Sequence, residues 1–375
     1  MVKKYILKML IISVISSSFL SCSSKSVLAI RNEGEVKNVI YMIGDGMGLS
    51  HISAMMIHNR YKRTAFDRSN ATGMVKTFSS NNRVTDSAAA GTALAAGYKT
   101  NNGTLGIAEN GDTVFSILSR AGKMGKKTGI VVTCEIEHAT PAAFYAHVGS
   151  RGSMEEIAIQ LSKDSIDVLI GGGYKYLYMR KDKIDLVKRM EDKSYSFYNN
   201  FSNLKKVTSG KVLALVDSVR LPYYDEGRGD FLPKATSKAL EILTNNSEKS
   251  GDKGFFLMVE GSQIDFAGHK NDIKKVINEM EDFDNAIGIA FDYADAHPGT
   301  LVVVTADHET GGLTLPSGNS DFTKGESGVN FKFGSTSHTG ILVPVFAYGT
   351  GALNFTGVFD NTDLPKMISR LAGIR

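Results

Sequence analysis

Acidic, histidine and threonine side chains stand at the ends of five apolar segments of this sequence. The set consists of Asp45, His138, Thr140, Glu260, Asp265, His269, Asp307, His308 and His338. Any one of them alone fits an ordinary role, such as a helix cap or a surface residue. In an open α/β sheet, however, ligands bind beyond the carboxyl ends of the strands. We therefore expect these side chains to gather at one edge of a sheet.

The carboxylates in this set are too many to lie together without compensation. Mutual repulsion within such a cluster forces several carboxyl groups to protonate unless cations are bound. Mixed oxygen and imidazole ligands favour zinc or a similar transition ion, whereas oxygen ligands alone favour magnesium. Asp265 and His269 are one helical turn apart and can reach the same ion. The spacing predicts at least two divalent metal ions.

A serine opens the Ala-rich segment DSAAAGTALAAG at residues 86–97. Ala and Leu favour helix and Gly97 is a natural terminator, so the segment predicts a helix from Ser87 to Ala96. Taken alone, Ser87 is best explained as a helix N-cap. Beside a pair of cations it becomes a candidate nucleophile, because metal coordination activates a hydroxyl. Arg151 offers a planar guanidinium suited to two phosphate oxygens.

Composition and charge limit the classes of protein that this chain can be. It has 375 residues, of which 42% are hydrophobic and 22% charged, and its mean hydropathy is −0.10. The formal net charge of +4 falls to +1 when the three lysines of residues 1–21 are removed. This balance and the lack of any nucleic-acid-binding motif argue against a nucleic-acid partner.

The first residues have the pattern of an export signal. Residues 1–21 combine a basic start with a short apolar run, and serines follow. The letters FLSC at 19–22 resemble a bacterial lipobox, which predicts a lipidated Cys22 and attachment to an envelope membrane. Cleavage after VLA at 27–29 is the alternative and would release a soluble periplasmic protein. Residues 22–35 are polar and are interpreted as a tether.

Strand and helix patterns alternate through the rest of the chain. Apolar strand-like runs lie at 37–44, 73–79, 127–133, 166–173, 211–216, 254–261, 300–306 and 340–349, with helical patterns between them. This order predicts a mostly parallel central sheet with helices on both faces, a three-layer α/β/α sandwich. We expect one domain over residues 36–375, with a possible peripheral insertion at 175–230. Cys134 is interpreted as a small buried residue within its strand.

Six segments, in this order, resemble the bacterial and animal alkaline phosphatases. They are NVIYMIGDGMG (38–48), VTDSAAAGTA (84–93), HATPAAFYAHVGSR (138–151), VEGSQIDFAGH (259–269), VVVTADHETGG (302–312) and STSHTG (335–340). The resemblance implies phosphate monoester hydrolysis through a phosphoserine, with two Zn²⁺ and one Mg²⁺. It also implies a homodimer, since members of this family are commonly dimeric.

The same resemblance assigns a role to each candidate residue. Ser87 is the nucleophile and Arg151 binds the phosphate. The first zinc is assigned to Asp265, His269 and His338, the second zinc to Asp45, Asp307 and His308, and the magnesium to Asp45, Thr140 and Glu260. His138 is a further candidate ligand of this third site. Asp86 is expected to orient Arg151 or the start of the helix, and His147 to lie behind Arg151.

Two positions differ among family members, and two other functions remain open at this point. His138 stands where some members carry Asp, which leaves the metal of the third site undecided. Phe266 stands where others carry Lys, His or Trp, so one water-mediated phosphate contact is lost. The alternative functions are a phosphodiesterase of the same superfamily and a non-catalytic surface lipoprotein that binds metal or phosphate.

Overall fold

The computed structural model describes residues 34–319 and 328–375. The export signal, Cys22 and nearly all of the predicted tether therefore lie outside the described residues. Within the described residues, no helix is both long enough and apolar enough to cross a membrane.

Fourteen strands are present in the described residues. They are β1 (Asn38–Gly44), β2 (Ala71–Lys76), β3 (Lys127–Glu135), β4 (Val168–Gly172), β5 (Tyr195–Tyr198), β6 (Lys211–Leu215), β7 (Phe255–Gly261), β8 (Thr300–Thr305), β9 (Glu309–Thr310), β10 (Leu313–Thr314), β11 (Lys332–Phe333), β12 (His338–Thr339), β13 (Val343–Gly349) and β14 (Gly357–Asp360).

Eleven α-helices accompany them. They are α1 (Leu49–His58), α2 (Ser87–Ala96), α3 (Ile117–Lys123), α4 (Ala139–Ala142), α5 (Met154–Lys163), α6 (Tyr174–Tyr178), α7 (Leu186–Glu191), α8 (Phe231–Lys249), α9 (Gln263–His269), α10 (Ile273–Ala296) and α11 (Asp363–Leu371).

Ten of the strands form one sheet in the order β14-β2-β13-β8-β1-β7-β3-β4-β6-β5. Every neighbouring pair is parallel except the two pairs made by β13, which runs antiparallel to β8 and to β2. The central strands β1, β7 and β8 are buried along their whole length. Their continuous apolar sequences are those expected of strands covered on both faces.

Neighbouring residues of β7 show that helices cover both faces. Phe255 packs its ring against Tyr293 of α10, with centroids 5.6 Å apart. The next residue, Phe256, packs against Phe144 and Tyr41 at 6.4 Å in each case. Successive side chains of a strand point to opposite faces, so α10 lies on one face and the segment after α4 on the other. The expected mostly parallel α/β/α architecture is confirmed.

The register of the central strands brings their carboxyl ends level. Ile43 of β1 pairs with Glu260 of β7 on one side and with Thr305 of β8 on the other. The residues that follow these three positions therefore emerge at one edge of the sheet. Residues 175–230 contribute β5 and β6 to the far end of the same sheet, so the connection after β6 also returns to this edge.

Candidate active site

A first group of potential metal ligands forms where β1 and β8 end. Asp45, Asp307 and His308 are fully buried, and one ligand atom from each lies within 4.8 Å of the others. His308 Nε2 is 3.1 Å from Asp307 Oδ2 and 3.6 Å from Asp45 Oδ1. Gly46, with φ at +73°, lets the chain turn here, and a Cβ at this glycine would lie 2.8 Å from Thr310 Oγ1. These are the ligands assigned from the sequence to the second zinc.

A second group forms between α9 and β12. His269 Nε2 is 3.3 Å from Asp265 Oδ2, and His338 Nε2 is 3.6 Å from Asp265 Oδ1. The two imidazole Nε2 atoms are 3.2 Å apart. The ring of His338 stacks on that of His308 with centroids 3.5 Å apart, so the first and second groups adjoin. These are the residues assigned to the first zinc.

A third group lies on the other side of the first, where β3 and β7 end. His138 and Glu260 gather there with Cys134, whose thiol donates to Glu260 Oε2 at 3.4 Å. Thr140 is fully buried on α4 close by. The sequence predicts Cys134 only as a buried strand residue, and it is buried. Its position at the end of β3 was the signal that it would reach this group.

Buried polar atoms without partners test whether metal ions fit these groups. Both carboxylate oxygens of Asp45, Asp307 Oδ2, Glu260 Oε1, Thr140 Oγ1 and His138 Nδ1 have no hydrogen-bond partner among the described residues. Leaving such atoms unpartnered in a protein interior is costly. The atoms are carboxylate, hydroxyl and imidazole donors, which are ligands of Zn²⁺ and Mg²⁺. The residues therefore fit bound divalent cations.

Burial and mutual repulsion make the charged form of these carboxyls unfavourable. Burial, followed by the charge of Asp307, raises the pKa of Asp45 well above its ordinary value. Burial raises the pKa of Asp307 to about 7 and that of Glu260 to about 8. Each shift shows a site that is short of positive charge, so it holds either protons or cations.

The pKa values of two histidines of the site are shifted in opposite directions by their surroundings. Burial lowers the pKa of His308 well below its ordinary value, so this imidazole is neutral, the form that binds metal. The hydrogen bond with Asp265 raises the pKa of the half-exposed His269 to about 9. In the absence of metal, His269 and Asp265 therefore form an ion pair.

Ser87 begins α2 beside the first group of ligands. Its side chain is buried, and its Oγ lies 3.2 Å from His308 Nε2. The N-cap of the helix is the preceding residue, Asp86, whose Oδ1 accepts from the Ala89 amide at 3.0 Å. The Ser87 hydroxyl therefore does not cap the helix. It lies next to the amide groups at the start of α2.

Arg151 lies across from this helix start. Its Nη1 donates to Asp86 Oδ2 at 3.1 Å, and its Nη2 is 3.1 Å from His138 Nε2. The guanidinium is partly exposed and held on two sides. Asp86 therefore both caps α2 and orients Arg151. His147 hydrogen-bonds the Gly106 carbonyl at 2.9 Å and packs on Phe115, which supports the loop before Arg151 without a described bond to it.

Several residues that hold the ligands in place were not singled out from the sequence. Thr310 donates to Asp265 Oδ1 and lies 3.2 Å from His308 Nδ1. The buried carboxylate of Glu309 accepts from the amides of Gly312 and Leu313 and from the Thr339 hydroxyl. These bonds fix the short pair of strands β9 and β12, which carries His338. Such outer contacts orient metal ligands.

Comparisons with known proteins agree with this arrangement. The alkaline phosphatase family model matches residues 36–328. Alkaline phosphatase 4 of Bacillus subtilis (strain 168) is 36% identical, with 91% of this chain and 90% of that protein covered. Alkaline phosphatase 3 of the same organism is 41% identical, with 84% and 71% covered.

Solved structures give the same result. The alkaline phosphatase of the Antarctic bacterium TAB5 superposes with a TM-score of 0.84 at 36% identity, covering 91% of this chain and 99% of that chain. The cold-active alkaline phosphatase of the psychrophile Shewanella sp. gives a TM-score of 0.81 at 33% identity, covering 89% and 99%. The chain therefore belongs to the alkaline phosphatase family of phosphomonoester-hydrolysing enzymes.

Proposed function

We propose that the protein hydrolyses phosphate monoesters through a phosphoserine on Ser87, with two Zn²⁺ and one Mg²⁺ as cofactors. The observation that carries this proposal is the position of the Ser87 hydroxyl. It lies at a helix start, 3.2 Å from His308 Nε2 and beside buried carboxylates that lack partners. Membership of the alkaline phosphatase family supports the reaction class.

The three ligand groups support an assignment of the ions to their residues. We assign one zinc to Asp265, His269 and His338, and the other to Asp45, Asp307 and His308. Glu260 and Thr140, with Asp45, would hold the magnesium, and His138 is a further candidate ligand. A variant of the TAB5 enzyme was solved with Mg bound in its M3 site, which supports magnesium as a cofactor in this family. When bound, these ions supply positive charge to the attacking and leaving oxygens of the displacement.

In the first half of the reaction, the Ser87 oxygen attacks phosphorus. Ser87 Oγ loses its proton to solvent and forms a bond to phosphorus, while the ester bond to the alcohol breaks. The departing alcohol oxygen takes a proton from water. Arg151 holds two phosphoryl oxygens with the second N–H of each Nη group, since Nη1 uses one N–H towards Asp86 and Nη2 lies against His138. The amide groups at the start of α2 favour the negative phosphoryl group.

In the second half, water replaces the serine. A water oxygen bonds to phosphorus and releases a proton to solvent, the bond to Ser87 Oγ breaks, and the serine oxygen takes a proton from solvent. Inorganic phosphate then leaves. Phe266 has no polar group with which to hold that phosphate, so we expect Arg151 and the helix amides to retain it.

We extend the proposal to the setting of the enzyme. Small phosphomonoesters are its substrates, and two copies of the chain are expected to pair, as the resemblance implies. The leader of residues 1–21 supports export to the periplasm or cell envelope, with anchoring through a lipidated Cys22. The phosphodiesterase and the non-catalytic lipoprotein are not favoured, since the relatives at 36% and 41% identity are both alkaline phosphatases.

A parallel assay of two ester classes tests the reaction. Protein loaded with zinc and magnesium is given 4-nitrophenyl phosphate and bis(4-nitrophenyl) phosphate under the same conditions. We expect kcat/KM for the monoester to exceed that for the diester at least about a thousandfold, because only the monoester presents a doubly charged phosphoryl group to the cations and Arg151. Equal rates would favour a diesterase, and no turnover of either ester would favour the binding protein.

A further inference from the structure

Arg220 places a second guanidinium next to the candidate active site. Its Cζ lies 4.4 Å from the centroid of the Phe266 ring. Phe266 follows Asp265 directly in α9, and its ring also lies against the imidazole of His138, with centroids 5.5 Å apart. His138 in turn contacts Arg151. The exposed guanidinium of Arg220 is therefore connected to Arg151 by a continuous series of contacts through the Phe266 ring and the His138 imidazole.

Hydrogen bonds on both sides of Arg220 fix the backbone of the loop that carries it. On one side, the amide of Leu221 donates to the Thr133 carbonyl of β3 at 3.3 Å. Gln263 of α9 donates to the carbonyls of Leu221 and Pro222 at 2.6 and 2.9 Å. Gln263 and Phe266 are three residues apart and therefore share a face of α9. One turn of this helix thus fixes both the backbone next to Arg220 and the ring beneath its guanidinium.

The backbone before Arg220 is also anchored. The carbonyls of Asp217 and Ser218 accept from the amides of residues 173–175. The carbonyl of Val219 lies so close to Gly172 that a Cβ there would be 2.0 Å from its oxygen. Only a glycine allows this contact between the end of β4 and the loop.

The charge of Arg220 is available to a solute. The residue is exposed, and no carboxylate of the described residues forms an ion pair with it.

We propose that Arg220 forms a second anion subsite, which favours monoesters whose leaving group carries another negative charge. This inference rests on the proposed phosphomonoesterase function. Arg151 binds the phosphoryl group that is transferred, and the Phe266 ring separates it from Arg220. Stacking on the ring leaves the N–H edge of the Arg220 guanidinium for two oxygens of a phosphate or a carboxylate.

Three substrates of matched length test the subsite. They are 3-hydroxypropyl phosphate, propane-1,3-diyl bisphosphate and 3-(phosphonooxy)propanoate, which differ only in the far end of the leaving group. We measure kcat/KM for each with the metal-loaded full chain at low salt. We compare kcat/KM for each substrate with a charged leaving group to kcat/KM for 3-hydroxypropyl phosphate, whose leaving group is neutral, and take the ratio of the two.

Replacing Arg220 is expected to lower that ratio. In Arg220→Ala we expect the ratio for the bisphosphate to fall about fivefold, mainly through KM, because one exposed ion pair is lost. Arg220→Lys should keep part of the preference, since the charge stays and the fork is lost. The effect should shrink in 0.5 M sodium chloride, which screens exposed charges. A matching fall for the propanoate shows a general anion subsite, and a fall for the bisphosphate alone shows one for phosphate.

Arg370→Ala provides the matched control. Arg370 is an exposed arginine in the last turn of α11, which runs away from the carboxyl edge of the sheet. It should leave all three rates unchanged. An unchanged ratio in Arg220→Ala overturns the subsite, as does an equal loss on all three substrates, which would mean that Arg220 only supports Phe266. Failure of the unsubstituted protein to hydrolyse any of them would instead overturn the proposed function.

Discussion

Ser87→Ala is expected to lower kcat for 4-nitrophenyl phosphate by at least about a thousandfold, because the alanine lacks the hydroxyl that we propose forms the covalent bond to phosphorus. The Ser87 side chain is buried at the start of α2, and Asp86, not Ser87, provides the N-cap bond. The substitution should therefore leave the helix in place. Metal content, measured by elemental analysis, should remain close to that of the unsubstituted protein.

Ser116→Ala is the matched control for this experiment. Ser116 is a buried serine at the start of α3, and its hydroxyl accepts from the Ser119 amide at 3.0 Å. Its removal loses this cap and the bond that the hydroxyl donates to the Phe144 carbonyl, which costs on the order of 2 kcal/mol of stability, with kcat retained. If Ser87→Ala behaved like Ser116→Ala, losing a little stability and keeping its rate, Ser87 would be a structural residue and the nucleophile assignment would be wrong.

Removal of the metal ions is expected to abolish hydrolysis and to lower the melting temperature by roughly 10 °C, since ligands bound only to the folded state stabilise it. Both buried oxygens of Asp45 have no hydrogen-bond partner among the described residues, so their desolvation is poorly compensated once the ions leave. We expect Zn²⁺ and Mg²⁺ together to restore both properties after dialysis against a chelator. The Ser87→Ala protein should lose as much thermal stability as the parent, because its ligand groups are intact.

The stabilisation by metal is expected to grow as the pH rises from 6.5 to 8.5. Burial raises the pKa of Asp307 to about 7 and of Glu260 to about 8, and the bond to Asp265 raises that of His269 to about 9. In this range the metal-free folded state holds more protons than the unfolded chain, so its stability falls with rising pH. Metal binding requires deprotonated ligands, so the same rise in pH favours it.

Thermal melts with and without chelator at both pH values measure this difference. The lowered pKa of His138 acts in the opposite direction, but only below the ordinary histidine value of about 6.5. Above pH 6.5 the ligands with a raised pKa, Asp45 included, therefore account for the chelator-dependent part of the change, because Asp282, whose pKa burial raises to about 7 outside the site, titrates in both samples. A melting temperature that is insensitive to chelator at pH 8.5 would contradict the assignment of these residues as ligands.

Periodicity predicted the elements that carry the site. The run at 37–44 became β1, that at 254–261 became β7, and that at 300–306 became β8 after small changes at the ends. These strands are buried on both faces, so their sequences are continuously apolar and easily recognised. The helix expected over Ser87–Ala96 has those bounds. The carboxyl-end rule then brought acids and histidines from separate strands to one edge.

Local patterns were not enough for the parts that depend on tertiary contacts. The two-residue strands β9 and β12 have no periodicity of their own and exist because Glu309 and Thr339 are hydrogen-bonded across them. Arg220 lies in an irregular segment, and its position depends on Gln263, which is distant in sequence. The sequence around Cys134 indicates only an ordinary strand residue, because its contact with Glu260 depends on the pairing of β3 with β7.

The most direct test of the central claim is to find the phosphoryl group on Ser87. The metal-loaded protein is mixed with a phosphate monoester, quenched rapidly in acid, digested and examined by mass spectrometry. We expect one phosphorylated peptide, containing Ser87, which is absent when the protein is first treated with chelator. A quenched protein that turns over substrate and carries no phosphate at Ser87, or carries it on another residue, would contradict the account.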